Sequence, residues 1–247
     1  MTTNPMNFLK ISGIRIGEAA RKRKIRSGDI LLAIDGYAFN EDTKELKAKF
    51  ESGNAPWLLT FLRGDVVFDV LFDEPLKSDF DLTDTEGSEK AKACLKKHTY
   101  GLWNEYKTFE VYRDLHKKAR IIEILKDPFA GLLPPIWMLQ NRLFFPLASI
   151  LIIYGVTFIA NIYLCLVSVV LVGIYTHRAQ ISLKRSYCLF DEKFLWFVSA
   201  GKSEMDILEK IMLLDPETKC RQKIDNETKP TKEKITKILP QPADYLT

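Results

Sequence analysis

"RSGDILLAIDG", Arg26–Gly36, sets a turn, a strand and a second turn end to end, and its reading decides what the front of the chain is. Gly28-Asp29 opens it. Ile30, Leu32 and Ile34 alternate onto one face, the period of a half-buried strand. Asp35-Gly36 supplies a two-residue turn whose backbone twist matches that of the strands it joins. Working outward, "GEAARKRK" before it predicts a short helix, and "EDTKELKAKF" after it a second helix, capped by Asn40 or Asp42, with Leu46 and Phe50 four apart on one side. "WLLTFLRGDVVFDVLF" follows as another hairpin about Gly64-Asp65. The expectation is a small sheet capped by two helices.

Beyond this region the composition changes. "KSDFDLTDTEGSEK", Lys77 to Lys90, reads as an acidic linker, and residues 91–142 as amphipathic, aromatic-rich segments leading to a membrane. From Leu143 to Thr176 there is no charged residue. At about 1.5 Å per residue one helix over this run would be roughly 50 Å long, against a hydrocarbon core of about 30 Å, so two short crossings turning at Asn161 are expected. A hairpin buried in a soluble core is the alternative. Arg142 before the run and His177, Arg178, Lys184 and Arg185 after it predict that both termini face the cytoplasm. Trp137, in the proline-split stretch "FAGLLPPIWMLQ", and Arg142 are the expected interface residues, with ordinary packing the alternative for the indole. After the hairpin, residues 177–215 predict a small cytoplasmic segment, a strand over Phe194 to Ser199 and then a helix. That helix carries Ser203 and Asp206 at capping-box spacing and Ile207, Leu208, Ile211 and Leu214 as its stripe. Residues 216–247 have the composition of a disordered tail.

The bulk properties exclude several functions. A formal charge of +4, with Lys and Arg spread along the chain, gives no nucleic-acid footprint. Cys94, Cys165, Cys188 and Cys220 lack metal-ligand or disulfide spacing, and neither a metal nor another cofactor is expected. Reduced thiols on a cytoplasmic face fit them, and the first twenty residues show no cleavable secretion signal. His98, His116 and His177 are scattered, no nucleophile–base motif occurs, and Asp191-Glu192 reads as a solvated pair, so no catalytic residue is nominated. "RKRKIR", Arg21 to Arg26, could contact anionic lipid or form a solvated helix face.

"IRIGEAARKRKIRSGDILLAIDGYAF" together with "FLRGDVVFDVLF" resembles a PDZ domain of the type found in bacterial membrane and periplasmic proteases. Ala19, Ala20, Gly28, Asp29, Asp35 and Gly36 carry the likeness over residues 8–76. Lys24 stands where that family has a helix-ending glycine, which predicts a left-handed residue, and Arg23 replaces a small one. The resemblance implies capture of an extended peptide on a sheet edge beside a helix, with Leu9, Ile11, Leu46 and Phe50 as groove candidates and plain core as their alternative. Only "MTTNPMN" precedes the first strand, too little for a carboxylate loop and a groove strand. Either the groove is absent, or another chain or the partner completes the edge. The remainder resembles a bacterial membrane family catalogued as a domain of unknown function, through Phe129, Pro135, Trp137 and Arg142.

The expectation is therefore an α+β chain: a small PDZ-like sheet with two helices, a two-helix transmembrane hairpin and a small cytoplasmic strand–helix segment. It would be a multi-pass protein of the bacterial inner membrane, acting as a non-catalytic adaptor or scaffold for a protein or peptide partner. The alternative is an accessory subunit of a membrane protease or transporter whose hairpin is the working part.

Overall fold

The computed structural model describes residues 8–14, 18–53 and 55–220. The front region folds as β1 (Leu9–Gly13), α1 (Ala19–Lys22), β2 (Ile30–Ile34), β3 (Tyr37–Ala38), α2 (Thr43–Ser52), β4 (Trp57–Arg63) and β5 (Val66–Phe72). Both expected hairpins form. Asp35 and Gly36 turn with φ of 51° and 82°, setting Ile34 opposite Tyr37, and Arg63 faces Val66 across the second turn. Lys24 has φ of 56°, the left-handed conformation the missing glycine would have taken without strain. Its carbonyl accepts a hydrogen bond from Arg63 Nη2 at 2.9 Å, which any residue there would retain. Lys24→Gly is accordingly expected to raise stability by about 1 kcal/mol, read as a higher denaturant midpoint with an unchanged slope.

One alternation is broken by a bulge. Pairing between β2 and β4 shifts between Leu31 and Ala33, so Leu31 and Ile34 share the main core while Ile30 and Leu32 turn to the other face.

The largest correction concerns the extent of the sheet. In place of a small separate one, the chain builds one ten-stranded mixed sheet in the order β10-β8-β7-β9-β5-β4-β2-β1-β6, with β3 paired to β2. The supposed acidic linker is β6 (Asp79–Leu82) and the start of α3 (Thr85–Lys97), capped by Asp84, whose carboxylate accepts from the Gly87 N–H. Asp79, Asp81 and Leu82 are exposed and only Phe80 is half-buried against the core, the burial of an edge strand. Within residues 91–142 lie β7 (Lys107–Arg113), β8 (Lys118–Glu123), α4 (Phe129–Leu132) and α5 (Pro134–Gln140). Then come α6 (Phe144–Ala160), α7 (Ile162–Phe190), β9 (Phe194–Gly201), α8 (Glu204–Leu214) and β10 (Lys219–Cys220).

The strand after the hairpin is thus no appendage, because β9 sits mid-sheet between β7 and β5. Phe68 of β5 and Phe197 of β9 meet edge to face at 5.1 Å, fusing the two halves into one core. The Ser203–Asp206 capping box forms, and Ile207, Leu208 and Ile211 of α8 enter the same core. On the reverse face α3 covers Leu32 and Leu62, and the end of α7 packs Cys188 against Tyr112 and Ile122. The four cysteines are free thiols. Of the expected tail, Lys219–Cys220 form the outermost strand; residues 221–247 lie outside the described residues.

The membrane expectation is also corrected. Among the described residues one helix, α7 with 29 residues, is long and apolar enough to cross a membrane, and α6 with 17 is not. Moreover α7 continues through Phe190 and docks its charged end on the sheet, so residues 177–190 do not begin a separate segment. Two crossings are not supported.

Candidate functional site

The groove lies at the β6 end of the sheet, and its origin is in the pairing of β1. Ile11 spends both backbone groups toward β2: its N–H donates to the Asp29 carbonyl and its carbonyl accepts from the Gly28 N–H, each at 2.8 Å. Phe80, directly opposite Ile11 on β6, therefore occupies a non-hydrogen-bonded pair, and its own N–H and C=O point away from β1. Among the described residues no strand pairs with that outer edge. Facing it is α2. Between them is a cleft of about 420 Å³ with Leu46, Phe50, Leu76 and Phe80 on its walls and Lys47 and Glu51 among its polar lining residues. Ser78, which also lines it, keeps its hydroxyl buried and without a partner among the described residues.

An unpaired strand edge opposite an apolar helix face is the geometry that takes an extended peptide as an added strand. Two of the four residues nominated from sequence, Leu46 and Phe50, line this cleft. Leu9 and Ile11 do not, because β6 has closed the edge they would have offered; all four belong to the main core, and Leu46 and Phe50, 1% and 6% exposed, form the floor of the cleft. The edge of β1 is covered by the chain's own residues 79–82, a source C-terminal to the module and invisible when counting back from its start.

Gly28, Asp29, Asp35 and Gly36 hold the frame. Gly28 has φ of 96°, and Asp29 is buried, accepting from the Arg26 N–H at 2.8 Å and pairing two-pronged with Arg63 at 2.8 and 2.7 Å. Asp35 accepts from the Leu58 N–H at 2.8 Å, tying the turn to β4. In the basic run, Arg23 is paired to Asp73 at 2.8 Å, and three strands separate β2 from the β7–β8 ribbon that carries α7.

A second cluster went unnoticed in the sequence. Asp69 is 2% exposed, accepts from Thr60 Oγ1 at 2.8 Å, lies 3.2 Å from His98 Nε2, and has Lys210 Nζ at 3.6 Å. Tyr100 donates to Thr60 at 3.0 Å, and burial pushes its phenol up to about 12. Burial alone would raise the Asp69 carboxyl, but the His98 hydrogen bond, the Lys210 charge and Thr60 outweigh it and hold the group below the usual aspartate range. Asp69↔Ala200 is the one paired position between β5 and β9, so this cluster clamps the seam between the two halves of the sheet. Its signal was a lone carboxylate inside the apolar strand "VVFDVLF".

At the other end lies the apolar surface. Helices α6 and α7 pack antiparallel, with Thr157 and Ser168 hydroxyls 3.1 Å apart, and leave side chains such as Ile152, Val156, Leu166 and Val170 exposed. Only 11% of the most apolar stretch of α7 is buried against protein, far less than a core helix would show. Trp137, expected at the interface, is instead 1% exposed and packs with Met138, Leu143 and Ile150. The proline pair begins α5 at its first turn, where no intrahelical N–H bond is lost, and this turns the indole inward. Arg142 is exposed, with φ of 55°, at the bend between α5 and α6. Comparisons with protein families, curated proteins and solved structures return no match to this chain.

Proposed function

We propose that the chain is a membrane-attached, non-catalytic adaptor that holds an extended segment of a partner protein in the cleft between α2 and the outer edge of β6. The observation that carries this reading is the outward-facing backbone of Phe80 opposite Leu46 and Phe50, on a chain whose far end presents uncovered apolar helices. The likeness of residues 8–76 to a PDZ domain supports it, since strand addition beside a helix is how that family binds. A partner segment bound this way supplies N–H and C=O groups to Phe80 and an apolar side chain to the cleft. Binding by backbone gives affinity with broad sequence tolerance, and the side-chain pocket sets preference.

Peptides selected from a random displayed library against the full chain in detergent test this. Phe80→Ala keeps the outward N–H, whereas Phe80→Pro removes it without touching a ladder bond, a change edge strands tolerate. Selected peptides are expected to bind Phe80→Ala within several-fold of the parent and to lose Phe80→Pro by at least tenfold, measured by fluorescence anisotropy. Equal binding to the two variants refutes strand addition.

A further inference from the structure

We infer that α6 and α7 enter the lipid together as a hairpin that turns back inside the bilayer, with α4 and α5 lying in the headgroup layer around its base. This rests on the membrane attachment proposed above and adds depth and sidedness to it.

The tip is the first observation. Ile159 is 86% exposed and Tyr163 75%, and no charged residue lies between Leu143 and Thr176. The tip's one polar side chain from Phe158 to Tyr163, apart from the Tyr163 phenol, is Asn161, which is engaged in capping α7 by accepting from the Tyr163 N–H at 2.8 Å. Thr157 and Ser168 nearby satisfy themselves on helix carbonyls and each other. A turn lodged in water beyond the membrane would need polar groups to hold it there; this one offers an apolar knob.

Length is the second. At about 1.5 Å per residue α6 extends roughly 25 Å and the uncharged part of α7 about 22 Å, against about 30 Å of hydrocarbon. Sliding deeper is blocked, because the rest of α7 is fastened to the sheet. The side-chain oxygen of Gln180 accepts from the Asp127 N–H at 2.7 Å, Arg185 grips Glu110 at 2.5 and 2.9 Å, and Arg120 lies over the Tyr187 ring at 5.2 Å.

The third observation sets the water line. At Gly173 an added Cβ would stand 2.6 Å from the Gly131 carbonyl, so α4 crosses α7 in backbone contact at that level. From there α4 and α5 expose Phe129, Leu132, Ile136 and Leu139, while Arg142 and Arg178 lie exposed close by in the chain. Apolar side chains beside basic ones suit the boundary between acyl chains and headgroups. With Gly173 at that boundary, Asn161 is twelve residues deeper, about 18 Å, past the midplane and short of the opposite headgroups.

The test uses the full chain with Cys94→Ser and Cys165→Ala, into which Ile159→Cys is placed, reconstituted in phosphatidylcholine–phosphatidylglycerol vesicles. Leu115→Cys, at a position 92% exposed in the β7–β8 turn, is the control. The expected result is flotation with the vesicles and labelling of residue 115 by a charged maleimide supplied on both sides. Residue 159 resists the same reagent, and a fluorophore attached there is quenched more by acyl-chain nitroxide lipids than by headgroup nitroxides. Labelling of residue 159 in floated vesicles overturns the turn-back hairpin and leaves membrane attachment standing. A chain that stays with the aqueous fraction as a discrete oligomer overturns attachment itself.

Discussion

Asp29→Asn is expected to lower the unfolding free energy by about 3–5 kcal/mol, the cost of leaving one half of a buried ion pair behind. The carboxylate is 2% exposed and its partner guanidinium 14%, so water cannot easily replace it. Three bonds are lost or weakened together: the two to Arg63 and the one from the Arg26 N–H, which shapes the turn into β2. Arg63 is held besides over the rings of Phe68 and Phe197 at 4.9 and 5.7 Å, and without Asp29 a bare charge sits at the junction of the core. Denaturation in detergent followed by tryptophan fluorescence reads the effect. Adding Arg63→Met to Asp29→Asn should restore at least half of the loss, because two neutral groups need no pairing. Failure of that rescue would assign the damage to the turn and not to the charge.

Asp69→Ala is expected to cost about 3 kcal/mol, since it strands the Lys210 ammonium and leaves Thr60, which Tyr100 leans on, and His98 without their common acceptor. The effect depends on pH, with a definite sign. A carboxyl whose folded pKa is depressed stabilises the protein above its unfolded value, about 3.9, and that contribution disappears as pH falls through the folded value. Parent and Asp69→Asn should therefore differ fully above about pH 4, the unfolded range, and converge only as pH falls on through the lower folded value. Hydrogen exchange locates the damage: amides of β5 and β9 about Asp69 and Ala200 should lose protection before those of β4 or β7. Uniform loss across the sheet would show that the seam is no weak point.

The range of each interaction decided how legible it was in the sequence. Turns and caps are local, so Asp35-Gly36, Gly64-Asp65 and the Ser203–Asp206 box were readable from neighbouring residues. The positive φ of Lys24 was expected only through the PDZ resemblance, which has a helix-ending glycine at that place. Strand β6 was not, since four residues with two aspartates resemble a linker until β1 is seen to need a partner. Half of the candidate cleft, Leu46 and Phe50, came from helical spacing, and its other wall came from that unrecognised strand. The seam was the least legible, for His98 reaches Asp69 from beyond α3 and Lys210 only through pairing between strands more than a hundred residues apart. The apolarity of the run from Leu143 to Thr176 was plain in the sequence, but its division into helices of 17 and 29 residues was not.

The place of β9 constrains how a ribosome can deliver this chain. While the nascent protein ends anywhere before Phe194, β5 and β7 each carry a naked edge that only β9 can fill, and α6 and α7 have already been made. Synthesis of the apolar hairpin thus precedes completion of the sheet, leaving an interval in which two unsatisfied edges of one molecule can zip onto those of another. Slowing translation just upstream of Phe194 should favour such mispairing.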